Sequence, residues 1–334
     1  MKTKRILSGM RPTGPLHIGH LVGALNNWVK LQDEFECFYM VADWHAVMSE
    51  YKDTSLLTRW SIENVADWIA AGLDPKRSTI FIQSQVPEHA ELCLAFACVT
   101  PVPWLERCPT YKEQMKELES KDVSNYAFLG YPVLQAADIA LYKADTVPVG
   151  EDQVAHLELT REIVRRFNSF FGEIFPEPMH RLTATARLLG LDRRKMSKSY
   201  GNFIALGETP EDIRKKVSTM FTDQERLRRS DPGHPDVCNV FAYYQAFAPD
   251  IAPARRTDCT GAKVGCTDCK RELGDRLAEF LRPLREKRTA LLADPKKLRE
   301  ILDAGAEKAR KVARATMEEV HAAVFKKRVA SSGG

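Results

Sequence analysis

A chain of 334 residues, 44% hydrophobic and 28% charged, has the make-up of an ordinary folded protein and enough length for two cores. No apolar run reaches the roughly 18 residues of a membrane span, and Met1 to Met10 has a basic start without an apolar signal core, so the expectation is a cytoplasmic protein with no membrane partner. The net charge of +4 is unevenly placed: residues 280–330 hold 14 Lys and Arg against 7 Asp and Glu, the asymmetry of a protein that meets nucleic acid with one part, although solvated helix faces would give it too.

Arg5-Ile6-Leu7-Ser8-Gly9 reads as a short buried strand. Arg11-Pro12-Thr13-Gly14-Pro15 breaks it, and a helical apolar pattern runs from Leu16 to about Leu31, which is how a mononucleotide-binding fold opens. His17 and His20 lie three apart, share a helix face and can both reach a phosphate. Gly19 between them carries no Cβ and lets a nucleotide approach the backbone. A second strand, Cys37 to Ala42, ends at Asp43-Trp44-His45, where an open α/β sheet binds ligands. A helix from about Ser55 to Gly72 and a third strand, Thr79 to Gln83, follow. Strands alternating with helices predict a doubly wound parallel sheet of the α/β class.

From Pro87 to Asn125 the pattern is helical and lacks strands, which reads as an insertion. Tyr131 to Tyr142 is an apolar helix with Gln135 and Asp138 on one face. A carboxylate there is costly to bury without a partner, or else sits at a solvated edge. Val147-Pro148-Val149-Gly150 leads through Glu151, Asp152 and Gln153 into a helix reaching Phe170. Asp152 can accept from a ribose hydroxyl, and Gln153 can both donate and accept; the plainer reading is an acidic pair at a helix N-terminus. After Pro176-Glu177-Pro178 only one apolar turn, Ala186 to Leu191, precedes Lys195-Met196-Ser197-Lys198-Ser199. Two mobile ammonium groups with hydroxyls between them suit the oxygens of a triphosphate, although such a run on its own is most often a solvated loop. From Pro210 onward the chain reads as helical. The domain boundary is placed near Phe203, giving units 1–203 and 204–334, with a frayed tail from Ala330.

Cys37, Cys93, Cys98 and Cys108 are scattered and read as small core residues. Cys238, Cys259, Cys266 and Cys269 gather in a polar region, and in a reducing compartment such a cluster points to metal. Four thiolates fit zinc or an iron–sulfur centre equally by chemistry. Lys263, Lys270 and Arg271 flank the Cys266–Cys269 pair, so the expected role is a structural metal that orders a basic surface against RNA.

The His17-Ile18-Gly19-His20 and Lys195–Ser199 signatures, in this order, resemble those of the class I aminoacyl-tRNA synthetases. Tyr131 to Asp138, Val147 to Gln153 and Glu158 to Glu162 resemble the bacterial tryptophanyl branch, with the tyrosyl branch as nearest competitor. The resemblance covers nearly the whole chain. It implies a Rossmann-type catalytic domain with a helical insertion at 87–125 that contacts a second copy in a homodimer, and an all-α anticodon-binding domain. It implies ATP, Mg²⁺, L-tryptophan and its tRNA as ligands. Arg11, Pro12, Thr13, Gly19 and His20 would bind ATP, Gly150, Glu151 and Asp152 its ribose, and Leu188 the adenine. His17, His20, Lys195 and Lys198 would serve catalysis on the phosphates, and Lys195, Met196, Ser197, Lys198 and Ser199 would bind ATP. Asp138 would accept from the indole N–H, Tyr131, Gln135 and Gln153 would hold the ammonium, and His45 would lie nearby. Gln135 stands where many members carry methionine. A subset of the family holds a 4Fe-4S cluster on cysteines spaced much like Cys238, Cys259, Cys266 and Cys269, which favours iron–sulfur over Zn²⁺. An inactive RNA-binding relative would have no use for both signatures, and a related nucleotidyltransferase would lack the whole-chain match.

Overall fold

The computed structural model describes residues 4–109, 111, 125–182, 188–198 and 200–325. Five strands form one parallel sheet in the order β3-β2-β1-β4-β5: β1 (Arg5–Met10), β2 (Glu36–Val41), β3 (Ser78–Ile82), β4 (Thr146–Val149) and β5 (Met179–Leu182). Helices cover both faces, which is why the first three strands are near-continuous apolar runs. Successive side chains point to opposite faces. Ile6, Tyr39, Val41 and Ile80 feed one core, while Leu7, Phe38, Met40 and Phe81 feed the other.

The segment after β1 is helical in three pieces: α1 (Ile18–His20), a π-helical turn (Leu21–Leu25) and α2 (Asn26–Leu31). The sequence pattern predicted one continuous helix; π turns of this kind recur at functional sites. α3 (Asp43–Glu50) follows β2 directly and carries His45. α4 (Leu57–Ala70), α5 (Glu88–Ala97) and α6 (Val102–Arg107) come next. α7 (Tyr126–Leu141) begins five residues earlier than its apolar run suggests, because the Asn125 side chain accepts from Phe128 N at 2.9 Å and caps it. α8 (Val154–Phe171) follows β4. β5 was not expected from the sequence. All four of its residues are exposed, and backbone pairing to β4 makes it a strand, without any apolar run.

The rest is helical: α9 (Pro210–Ser218), α10 (Asn239–Phe247), α11 (Ala252–Thr260), α12 (Cys266–Leu292) and α13 (Pro295–Val324). These helices pack onto the sheet domain. Ile204 O accepts from Ile18 N at 3.0 Å and Leu206 N donates to Leu16 O at 2.9 Å. Arg288 of α12 reaches Asp67 and Glu63 of α4. α13 lies along β3 so closely that a Cβ on Gly305 would sit 1.8 Å from Ile80 O, and its Ala306, Ala309 and Ala313 join the core with Phe81. The helix thereby covers an edge strand. No described helix is long and apolar enough to cross a membrane.

Candidate active site

The strand order reverses direction between β1 and β4, and that switch point opens a crevice at the carboxyl ends of the strands. A cavity of about 1140 Å³ lies there. β1 and the residue after it supply Gly9, Met10 and Arg11; the π turn and the residue before it supply His20, Gly23 and Ala24. His45 of α3, Tyr131, Gln135 and Asp138 of α7, and Gly150, Glu151 and Gln153 after β4 complete the polar wall. Residues from five separate stretches of the sequence therefore share one site. Ser199 and the side chain of Asp152 lie outside the described residues, as do 112–124 of the insertion and 326–334 of the tail.

Asp138 is 2% exposed and is held by three donors. Its Oδ2 lies 2.9 Å from His45 Nε2, and its Oδ1 lies 2.6 Å from His89 Nδ1 and 2.8 Å from Gln83 Nε2. Burial pushes the carboxyl up, but the hydrogen bonds from His45 and His89 outweigh it and hold it down at about 2. It is thus an ionised acceptor facing the cavity at neutral pH. Sequence reasoning missed Gln83 and His89, both 0% exposed, and Tyr142, whose hydroxyl lies 2.8 Å from His89 Nε2. No local signal marked Gln83 or His89, because residues 83–91 are mostly polar and neither side chain stands out from its neighbours. Also lining the cavity, Tyr131 Oη lies 2.5 Å from His156 Nε2, and Gln153 Oε1 lies 2.9 Å from His156 Nδ1. His156 ties together two residues predicted for the ammonium end, and Gln135, half-buried, sits on the same wall.

At the other end the two histidine rings lie 3.8 Å apart, and the His17 N–H donates to His20 Nδ1 at 3.2 Å. Burial, then the Lys198 charge, lowers His17 to about 4. Burial, His17 and Lys198 hold His20 well below its ordinary value. Both rings are neutral at pH 7 and act as dipolar donors. His17 Nδ1 is buried without a hydrogen-bond partner among the described residues. Gly19 matters for a contact absent from the sequence argument: a Cβ there would meet His17 Nδ1 at 2.9 Å and Met196 Sδ at 3.0 Å. The lysine loop thus closes over the histidine turn. Lys198 Nζ donates to Gly14 O at 3.1 Å, where Gly14 has φ +131°, a conformation suited to glycine. Burial and Arg11 bring Lys198 down to about 8 against the opposing pull of Asp67. Lys195 is exposed at the loop's edge, Met196 and Ser197 are half-buried, and Leu188 packs against the core behind them. Pro12 is buried and Thr13 N donates to Arg11 O at 2.9 Å, which closes the turn after β1.

Asn202, also missed, fastens the loop. Its Nδ2 donates to Asp192 Oδ1 at 2.7 Å and Lys195 O at 3.1 Å, and its Oδ1 accepts from Ser197 N at 2.8 Å. α10 holds the loop's base: Asn239 Nδ2 donates to Gly190 O and the Tyr243 hydroxyl to Leu189 O, each at 2.8 Å.

The four clustered cysteines converge beside that helix. Cys238 is the N-cap of α10, Cys259 is near the end of α11, and Cys266 and Cys269 occupy one face of the first turn of α12. Burial pushes the Cys269 thiol up to about 12, with the other three cysteines adding to it. Arg226 stands near Cys259 and Arg255 near Cys269, and the buried Nε of each has no hydrogen-bond partner among the described residues. No three of the sulfurs lie mutually within 4.8 Å; among the described residues that spacing is met by Asp223, Glu225 and His234, whose Asp223 carboxylate already accepts from two backbone N–H groups.

The model of the class I tRNA synthetases for tryptophan and tyrosine (W and Y) matches residues 2–282. The tryptophan–tRNA ligase of Thermotoga maritima is 53% identical over 325 residues, covering 96% of this chain and 98% of its own. That of Aquifex aeolicus is 42% identical, with 96% and 99% covered. A solved tryptophanyl-tRNA synthetase from Campylobacter jejuni, complexed with ADP and tryptophan, superposes with a TM-score of 0.88 at 34% identity, covering 95% of this chain and 98% of that one. An archaeal tyrosyl-tRNA synthetase from Archaeoglobus fulgidus shares the fold at a TM-score of 0.66 and 22% identity, with 86% of this chain covered. With the family model spanning most of the chain and a full-length relative above half identity, the chain belongs to the class I tRNA synthetases of the tryptophan and tyrosine family, on the tryptophanyl branch.

Proposed function

We propose that this chain is a tryptophan–tRNA ligase, joining L-tryptophan to ATP as the adenylate with release of pyrophosphate and then passing the tryptophanyl group to the 3′ end of its tRNA. The observation that carries the reading is Asp138: a buried, ionised, three-donor carboxylate with its open side on the cavity, in position to accept one N–H from an aromatic ring. Tyr131, Gln135 and Gln153 are assigned to the ammonium group, and Gly150, Glu151 and Asp152 to the ribose. The carboxylate of the amino acid attacks the α-phosphorus, one P–O bond forms and the bond to pyrophosphate breaks. Charge develops on phosphate oxygens, so catalysis is positioning and electrostatics. Neutral His17 and His20 donate to the phosphates, while Lys195, Lys198 and Arg11 offset their charge. Mg²⁺ bound with the triphosphate would neutralise part of its charge. The ribose hydroxyl of the tRNA then displaces the phosphate of the adenylate. Pyrophosphate exchange measured with each of the twenty amino acids tests the reading. Tryptophan alone should support it, and exchange with tyrosine instead, or with none, would overturn it.

The same reading assigns residues 1–203 to chemistry and 204–334 to anticodon binding through the basic C-terminal helices. That division concerns function, since α12 and α13 pack against the sheet domain. It takes the protein as a cytoplasmic homodimer through the insertion, where Leu94 and Val102 are 69% and 53% exposed; a monomer in sedimentation would remove that element. For the cysteines it takes a 4Fe-4S cluster. A tetrahedral zinc with Zn–S bonds of about 2.3 Å holds its sulfurs about 3.8 Å apart, closer than these four stand, whereas a cubane spreads its ligands wider. The two buried guanidinium Nε atoms without partners suit an anionic, thiolate-held group. Bound there, the cluster would fix α10, α11 and α12 to one another.

A further inference from the structure

Asp138 is an acceptor only as long as something behind it supplies donors, and the residue that does so most closely lies outside the cavity wall. His89 is 0% exposed, its ring stacks on Phe81 at 6.0 Å and 26°, and it is flanked by Tyr142. A carboxylate can only accept, so the 2.6 Å contact to Asp138 Oδ1 requires the proton on Nδ1. The other nitrogen faces the Tyr142 hydroxyl at 2.8 Å. Burial holds the Tyr142 phenol well above its ordinary range, so that hydroxyl keeps a proton to donate to Nε2. The chain Tyr142 O–H to His89 Nε2, and His89 Nδ1–H to Asp138, thus runs in one direction. Gln83 donates to the same oxygen, which leaves Oδ2, shared with His45, as the side turned to the cavity.

We infer that His89, anchored by Tyr142, is a positioning residue that sets the ring N–H specificity of the site by keeping Asp138 a correctly oriented, acceptor-only group. The inference rests on the tryptophan reading above. It distinguishes His89 from a merely buried core histidine, because each ring nitrogen has one assigned partner and one of those partners faces the substrate cavity. The titratable groups facing Asp138 are His45 from α3, His89 and Cys93 from α5, and Tyr142 just past α7, and Cys93 is itself raised by burial first and then by the Asp138 charge. Of the two histidines, His89 is the one fully shut off from solvent, so water cannot replace it.

The test is steady-state pyrophosphate exchange with L-tryptophan and with 3-benzothienyl-L-alanine, in which sulfur replaces the ring N–H. In His89→Leu, selectivity for tryptophan over the analogue should fall roughly 10- to 100-fold, from loss of a buried charge-assisted hydrogen bond. KM for tryptophan should rise while KM for ATP stays unchanged. The acid limb of kcat/KM should move to higher pH, since burial then acts on Asp138 with one donor fewer. His89→Asn, whose amide N–H replaces Nδ1–H, should restore most of the selectivity, and Tyr142→Phe should shift it in the same direction as His89→Leu but less. Wild-type selectivity and acid limb in His89→Leu would overturn the inference, as would equal losses in kcat and both KM values that His89→Asn does not rescue. Where His89→Leu fails to fold, Tyr142→Phe decides, and an unchanged selectivity there overturns it. Absence of tryptophan-dependent exchange in the wild type would sink the functional reading itself, a separate outcome.

Discussion

Arg288→Met removes the guanidinium that joins α12 to α4 while keeping most of the side chain's volume. Arg288 Nε donates to Asp67 Oδ1 at 2.6 Å and Nη2 to Glu63 Oε2 at 2.7 Å, with side-chain exposures of 15%, 2% and 16% for Arg288, Asp67 and Glu63. Gly207 leaves the guanidinium its space, since a Cβ there would lie 2.9 Å from Cζ. Burial raises the Asp67 carboxyl from 3.8 to about 7 even with Arg288 present. A carboxyl raised in the folded state keeps its proton after the unfolded chain has lost it, so its contribution to stability declines as pH rises from about 4 to about 7. Well above pH 7, Arg288→Met strands a buried carboxylate, at a cost of about 3–5 kcal/mol. Well below pH 7 the carboxyl is neutral and the loss is one charge-assisted hydrogen bond to it, about 1.5–3 kcal/mol. Urea unfolding on both sides of pH 7 should show the larger shift in midpoint at high pH, and adding Asp67→Asn should recover most of that difference. Equal shifts at both pH values, or no recovery in the double variant, would refute the argument.

Lys198→Ala and Lys195→Ala should each slow pyrophosphate exchange by about 10²–10³ with little change in tryptophan binding, since the charge they meet develops on the phosphates; stopped-flow adenylate formation reads this directly. Asn202→Ala should lower the exchange rate with KM for tryptophan unchanged, because the three bonds it loses hold the lysine loop and leave the Asp138 pocket alone. Gly305→Ala places a Cβ on the Ile80 carbonyl and lifts α13 from β3, which should cost about 1–3 kcal/mol or more in urea unfolding. Protein purified without oxygen should carry about four irons per chain and no zinc, and Cys269→Ser should lose the iron; one zinc per chain would replace the iron–sulfur reading.

Much of the architecture was legible because it rests on local chemistry. The first three strands, the helices between Glu88 and Arg107 and the α/β alternation are written in apolar runs and Pro/Gly breaks. The two signatures at 17–20 and 195–199 are short and carry their residue types in contiguous order. What was not legible was held by backbone or by distance. β5 buries none of its four residues, so pairing with β4 rather than an apolar run makes it a strand. The early start of α7 depends on one cap, Asn125.

The sequence alone determined which groups are available to the site: two histidines around a glycine, two lysines in a loop, and one carboxylate in an apolar helix. The tertiary structure decided what those groups are. Asp138 reads equally as a solvated edge or a buried acceptor until His45, His89 and Gln83 arrive from three other elements. Gly19 looks like room for a nucleotide until Met196, far along the chain, is found against it. Lys198 and His17 titrate where they do because burial brings them together, and burial depends on how the sheet, the loop and α4 pack. Charge state, tautomer and acceptor direction depend on neighbours distant in sequence, and periodicity along a chain carries no information about them.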